Sequence, residues 1–137
     1  MIRAISLWQP WASAMAIGAK VNETRSWPTS YRGDLLICSA KRKPSPEEVG
    51  DGDLYRQAMA MPYGYALCVV ELYECRPTEA SLGDYTPGRF TWCTRNLRRL
   101  RQPLPMRGRQ GLWALTPEEE AQVRGTIYNV TLVRGGR

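Results

Sequence analysis

The chain has 137 residues, 43% of them hydrophobic, which is the size and composition of one globular domain rather than of two domains or a disordered chain. It contains no histidine, and its four cysteines include no C-x-x-C pair, so zinc-finger sites and histidine-dependent catalytic triads are excluded. We therefore expect reduced cysteines and no metal or other cofactor. The formal net charge of +6 favours a polyanionic partner such as RNA or DNA.

The first predicted strand, Ile2–Leu7, is too short to cross a membrane, and polar or helix-starting residues interrupt the apolar run at Gln9, Pro10 and Ser13. This pattern fits neither a signal peptide nor a membrane span. We therefore expect a soluble protein of the cytoplasm.

The N-terminal half contains predicted strands, an extended segment and short helices. Pro10 suits the first turn of a helix that continues to Ile17, where Gly18 ends it. A second helix begins at the capping box Ser45-Pro46-Glu47-Glu48 and resumes after an interruption at two glycines. The predicted elements in chain order are strand 2–7, helix 12–17, extended segment 20–27, strand 34–39, and helix 46–49 resuming over 53–61.

The C-terminal half contains the most apolar strand, Ala66–Tyr73. A second capping box, Thr116-Pro117-Glu118-Glu119, begins a helix that ends at Gly125. The last segment, 127–133, is either a strand or a loosely held tail. The predicted elements are strand 66–73, strand 90–94, strand 112–115 and helix 117–124.

This order of elements has no βαβ alternation and no G-x-G-x-x-G motif. Helices placed between short strands indicate an α+β protein, built on a small barrel or sheet of about six mostly antiparallel strands with three or four peripheral helices. We treat residues 1–137 as a single domain.

Basic residues are concentrated in one segment, from Pro87 to Gln110, which contains seven arginines and no acidic residue. Such a segment attracts polyanions through phosphate contacts, or it is a solvated strand and loop with no partner. On the first interpretation, four of its arginines contact a nucleic-acid backbone: Arg95, Arg98, Arg99 and Arg101.

Three tryptophans and three charged residues lie close together near the N-terminus. They are Trp8, Trp11, Trp27, Lys20, Glu23 and Arg25. Indole rings beside charged groups predict a polar cleft with an aromatic wall. The alternative is that a Glu23–Arg25 ion pair braces the fold while the indoles pack in the core.

Two groups of segments form a recognisable pattern. The first group consists of Ser6-Leu7-Trp8-Gln9-Pro10-Trp11-Ala12, Gly18-x-Lys20-x-x-Glu23-x-Arg25, Tyr31-Arg32-Gly33 and Ser39-Ala40-Lys41-Arg42. The second group consists of Trp92, Asn96, Pro103-x-Pro105, Gly108 and Gly111-Leu112-Trp113. Together they resemble the ASCH domain family over about residues 2–116, and residues 117–137 follow as a C-terminal helix and a strand or tail.

The resemblance implies a PUA-like β-barrel whose cleft binds single-stranded RNA or a nucleotide-like ligand. The base would be recognised or stacked by Trp8, Gln9 and Trp11. The polar centre of the cleft would be formed by Lys20, Glu23 and Arg25. Phosphate would be contacted by Ser39, Lys41 and Arg42, which we expect to rim the same cleft.

Some members of the family are enzymes, so a ribonuclease or an amidohydrolase of a modified nucleoside, using Lys20 and Glu23, is the alternative function. The amidohydrolase members carry a nucleophilic threonine at the position of Glu23. Here Thr24 is displaced by one residue, which on a strand points its side chain to the other face, so binding is the favoured function. A third possibility is an accessory protein whose basic face docks on an acidic protein partner.

Overall fold

The structure is a computed structural model that describes residues 1–50, 52–78 and 88–129. The described ranges contain seven strands and four helices. The strands are β1 (Arg3–Leu7), β2 (Asn22–Arg25), β3 (Gly33–Ser39), β4 (Tyr65–Pro77), β5 (Phe90–Pro105), β6 (Trp113–Ala114) and β7 (Ile127–Asn129). The helices are α1 (Trp11–Ala16), α2 (Pro46–Val49), α3 (Asp53–Met59) and α4 (Pro117–Arg124).

All seven strands belong to one sheet. Six follow the order β2-β5-β4-β3-β1-β6, and β7 pairs with β5 outside this path. Only β1 and β3, among the described strands, run parallel to each other; the remaining pairs are antiparallel. The predicted α+β architecture with a mostly antiparallel sheet is therefore confirmed, with one strand more than the six expected.

Apolar side chains pack against both faces of the sheet, because consecutive residues of a strand point to opposite faces. On β1, Ile5 and Leu7 belong to a core that α1 covers with Ala12, Met15 and Ala16. Ala4 belongs to a second core on the other face, which includes Val123 of α4. This arrangement fixes α1 directly after the end of β1, where the candidate site lies.

Both predicted capping boxes are present. The backbone N–H of Ser45 donates to Glu48 Oε1 (3.1 Å), and the N–H of Thr116 donates to Glu119 Oε1 (2.8 Å). Each pair satisfies a backbone donor that the first turn of the helix leaves without a partner. Helix α3 ends at Met59, two residues before the predicted end.

The largest difference from the sequence prediction is the length of β4 and β5. Strand β5 continues from Thr94 through the arginine-rich segment to Pro105. A bulge interrupts its pairing with β4 near Asn96, which has a positive φ of 58°, a conformation that asparagine tolerates better than most residues. The arginines within this part of β5 interrupt its apolar pattern, so a prediction based on apolar patterning ended the strand at Thr94.

The predicted final strand is confirmed only for its first part, as β7; residues 130–133 of that prediction lie outside the described residues. Among the described residues, no helix is both long and apolar enough to span a membrane.

Candidate functional site

A cleft opens where α1 leaves the end of β1 and faces β2. We call it the tryptophan cleft, and its volume is about 270 Å³. Strand β2 reaches this position because it is an edge strand of the sheet and pairs with the first residues of β5. The lining residues are Ser6, Leu7, Trp8, Trp11, Glu23, Thr24, Arg25, Ser26, Trp27 and Arg89.

The five tryptophans of the chain divide into two groups. Trp92 and Trp113 are buried in the two cores, and Trp27 packs edge-on against Trp92 with ring centroids 4.8 Å apart. Trp8 and Trp11 remain 51% and 49% exposed, although both line the cleft. Half-exposed indoles at a cleft wall offer apolar faces on which a planar ligand can stack.

Glu23 lies at the polar end of the cleft between two cations. One carboxylate oxygen is 3.3 Å from Lys20 Nζ, and the other is 3.3 Å from Arg25 Nε. The Glu23 side chain is only 16% exposed, and both cations are 26% exposed. The ion-pair brace considered in the sequence is therefore present, and it stands at the wall of a cleft rather than inside the core.

Arg25 is held in place by the end of β1, since its Nη2 donates to the carbonyl oxygen of Ser6 (2.7 Å). Burial lowers the pKa of Arg25, the Glu23 carboxylate opposes this change, and the nearby Arg89 reinforces it. The Nη2 atom of Arg89 donates to the carbonyl oxygen of Thr24 (2.8 Å) and to its hydroxyl oxygen (3.1 Å). Among the described lining residues, the charged groups are the guanidinium groups of Arg25 and Arg89 and the carboxylate of Glu23.

Trp8 is covered on one face by Arg42, whose guanidinium carbon lies 3.9 Å from the centre of the indole ring. The same guanidinium donates to Glu48 Oε1 on α2 (2.6 Å). This hydrogen bond, together with that from the Ser45 backbone, lowers the pKa of Glu48 to about 2. Arg42 is thus a stacking partner of Trp8 anchored by α2, and its contact with a phosphate remains a prediction.

A profile of the ASCH domain matches residues 5–104 of the chain. This range contains most of the tryptophan cleft. The chain belongs to the ASCH domain family.

Two curated relatives contain a similar segment. The activating signal cointegrator 1 proteins of Homo sapiens and Mus musculus are each 29% identical to this chain over 126 residues, which cover 81% of the chain. The chain spans 22% of the length of either relative.

Solved structures share the fold. The crystal structure of ASCH from Zymomonas mobilis superposes with a TM-score of 0.62 at 16% identity, covering 93% of this chain and 96% of that one. A point mutant of the same protein gives a TM-score of 0.62 at 15% identity, covering 93% and 99%. The PUA-like α+β fold expected from the resemblance is therefore confirmed.

Two residues that the sequence placed at the ligand are buried in this ASCH domain. Gln9 is 1% exposed; its amide nitrogen donates to Ser13 and to the Pro62 carbonyl, and its amide oxygen accepts from the Ser13 backbone. Ser39 is also 1% exposed, and its hydroxyl is hydrogen-bonded to the backbone of Tyr65. The recognition of a base by Gln9 stays a prediction, and the structure shows that its polar atoms already hold α1 to the loop before β4. We leave Gln9 out of the proposed site.

The arginines of β5 that we expected along a nucleic-acid backbone are partly used by the sheet. Arg95 forms two 3.1 Å hydrogen bonds with Glu71, and Arg98 contacts Asp34 at 2.8 Å. Arg99 is half-buried, and Arg101 lies over the ring of Tyr128. None of these four arginines lines the tryptophan cleft.

From the sequence we expected Lys41 and Ser39 to rim the tryptophan cleft. In the structure they line a neighbouring cleft. We call it the basic cleft; its volume is about 360 Å³. It is lined by Ser6, Ser39, Ala40, Lys41, Gly64, Arg107, Gly108, Arg109 and Gln110. Arg107 and Arg109 were not among the site residues predicted from the sequence. Their signal is the Arg-Gly-Arg tripeptide in a loop that lacks acidic residues.

Proposed function

We propose that this chain binds single-stranded RNA or a nucleotide-like ligand, with a base in the tryptophan cleft. The observation that carries the proposal is that Trp8 and Trp11, both half-exposed, line the same cleft as Glu23, Arg25 and Arg89. An aromatic wall beside fixed hydrogen-bonding groups is the chemistry by which proteins recognise unstacked bases.

The indoles supply the sequence-independent part of this recognition. Stacking a base on an aromatic side chain contributes about 1–3 kcal/mol per base. The Trp8 indole is already ordered before a ligand binds, because Arg42 stacks on one of its faces and is itself hydrogen-bonded to α2. A base on the open face would complete a stack of guanidinium, indole and base.

The charged groups supply direction and selectivity. A carboxylate such as Glu23 accepts hydrogen bonds from an exocyclic amine, whereas Arg25 and Arg89 offer donors to carbonyl or phosphate oxygens. Because the Glu23–Arg25 pair and the Ser6 carbonyl fix these groups before a ligand arrives, little ordering is needed on binding. Membership of the ASCH domain family supports the same conclusion, since the resemblance already implied RNA binding.

The proposal is tested by titrating a fluorescently labelled single-stranded RNA with the purified protein and measuring anisotropy at several salt concentrations. We expect saturable binding that weakens with salt, and roughly tenfold weaker binding for Glu23→Ala. The matched control is Glu118→Ala, which removes an exposed carboxylate of α4. Absence of binding, or equal affinities for the two variants, would refute the proposed site.

Hydrolysis is a second candidate function because Lys20 Nζ lies 3.3 Å from Glu23 Oε1. Two observations favour binding instead. Both oxygens of Glu23 contact cations, and Lys20 lines a separate pocket of about 90 Å³ rather than the tryptophan cleft. Cleavage of labelled RNA or deacylation of acylated cytidine that is lost in Lys20→Ala would establish an enzyme. Binding to an acidic protein that RNA does not displace would instead support an accessory role.

A further inference from the structure

We propose that the basic cleft binds a phosphate group of the same ligand whose base occupies the tryptophan cleft. This inference rests on the proposed function for the identity of the ligand, but not for the charge of the site. It assigns Lys41, Arg107 and Arg109 as the phosphate-binding cations.

The positive charges of the basic cleft are not neutralised by acidic residues of the described part of the chain. Within the described part of the chain, Lys41, Arg107 and Arg109 have no carboxylate within ion-pair distance, and the cleft lining contains no acidic residue. By contrast, Arg95 is paired with Glu71 of the adjacent β4, and Arg98 is paired with Asp34 of β3, one strand further along the sheet. Three unpaired cations around one concave surface repel one another, and a bound anion relieves this repulsion.

Contacts within the basic cleft hold its shape. The loop after β5 is fixed where the Met106 N–H donates to the Gly64 carbonyl (3.0 Å) and the Met106 side chain is buried. The stem of Lys41 lies along Gly64, where a Cβ atom would stand only 3.2 Å from Lys41 Cγ. Gly64 also has a positive φ of 83°, so the position suits glycine for two reasons. The backbone thus sets the positions of the loop and of Lys41.

An unsatisfied hydroxyl lies at the wall of the basic cleft. The Ser6 Oγ atom is buried and has no hydrogen-bond partner within the described residues. Gly108 lies against it, since a Cβ atom at that position would be 2.9 Å from the oxygen. A buried hydroxyl without a partner is energetically costly, and an anion oxygen that reaches it would remove this cost.

The two clefts are connected at one residue. Ser6 lines both, and its carbonyl oxygen holds Arg25 on the side of the tryptophan cleft. In a nucleic-acid strand each base is separated from its phosphate by one sugar. A ligand with its base against the indoles and its phosphate against Arg107 and Arg109 therefore crosses the wall at Ser6.

The test compares two double variants that each remove two positive charges. Arg107→Gln/Arg109→Gln removes charges from the basic cleft, whereas Arg56→Gln/Arg124→Gln removes charges that are paired with acids on α3 and α4. The labelled RNA is titrated over a range of salt concentrations. In parallel, binding of an uncharged nucleoside, which has no phosphate for the basic cleft, is followed by tryptophan fluorescence.

For the cleft variant we expect RNA affinity to fall roughly ten- to a hundredfold, and the magnitude of the slope of log K against log salt to decrease by about 0.7, the value for one lost phosphate contact. Nucleoside binding should not change. Equal salt slopes for the two double variants would overturn the inference while leaving the proposed function intact. If wild-type protein binds no RNA, the proposed function fails, and thermal stabilisation by inorganic pyrophosphate then tests the basic cleft by itself. Stabilisation of the wild type that is lost only in the cleft variant supports the inference. Absence of stabilisation in the wild type overturns the inference.

Discussion

The tryptophan cleft and the basic cleft share Ser6 as a wall, yet their charged groups are in opposite states. In the tryptophan cleft Glu23 is bound to Lys20 and Arg25, so the ionic groups are already engaged and the indole faces remain available. In the basic cleft no aromatic side chain contributes, and three cations lack an acidic partner within the described residues. The tryptophan cleft is therefore suited to select a planar ligand, and the basic cleft is suited to bind the negatively charged group of that ligand.

The largest effect is expected from removing both cleft indoles. Trp8→Ala/Trp11→Ala should weaken RNA binding roughly a hundredfold, because two stacking surfaces are lost. The salt slope should stay at the wild-type value, since no charge is removed. Ile17→Ala, which trims a 66% exposed apolar residue at the end of α1, is the control in the same anisotropy titration. A reduced salt slope in the double variant would mean that the two clefts are not separable.

A smaller effect is expected from Gly108→Ala, which changes the shape of the basic cleft without changing its charge. The new Cβ atom would approach Ser6 Oγ to 2.9 Å, so the loop that carries Arg107 and Arg109 must move. We expect roughly tenfold weaker RNA binding by anisotropy. Adding Ser6→Ala should recover most of the loss, leaving about a two- to threefold deficit from the missing hydroxyl. Failure of the second substitution to restore binding would show that the close contact is not the cause.

Arg42→Ala tests to which cleft Arg42 belongs. Because its guanidinium stacks on Trp8 and pairs with Glu48, we expect a roughly two- to fivefold loss of RNA affinity with no change in salt slope. The sequence-based expectation of a phosphate contact makes a different prediction, namely a slope lower by about 0.7. Repeating the titration at three salt concentrations distinguishes the two.

The smallest effect is expected from Arg95→Gln. This guanidinium is bound to Glu71 through two hydrogen bonds and stacks near Tyr73, so little of its charge is available to a ligand. We expect less than a twofold change in RNA affinity. A loss as large as that of Arg107→Gln, measured in the same titration, would show that pairing with an acid does not withdraw an arginine from binding.

The local features of this fold were predictable from the sequence. Both capping boxes, the glycine that ends α1 and the apolar strands were readable, because each depends on neighbouring residues. The prediction for the polar centre also has a local basis: Gly18, with a positive φ of 80°, lets the chain bend so that Lys20 reaches Glu23.

The roles of the arginines could not be read in the same way. Asp34 and Glu71 are directly opposite each other on β3 and β4, and the bulge near Asn96 brings Arg95 and Arg98 to this acidic pair. That match depends on strand register between residues far apart in the chain. Composition gives the number of cations in the segment, but only the pairing of strands separates those that brace the sheet from Arg107 and Arg109.

The most direct test of the central claim uses the indole N–H resonances of the five tryptophans, observed by NMR in ¹⁵N-labelled protein. On titration with a single-stranded RNA oligonucleotide, we expect saturable shifts of the Trp8 and Trp11 signals. Trp92 and Trp113, buried in the two cores, should not move appreciably. Binding of RNA that leaves Trp8 and Trp11 unshifted would contradict a base-binding role for the tryptophan cleft.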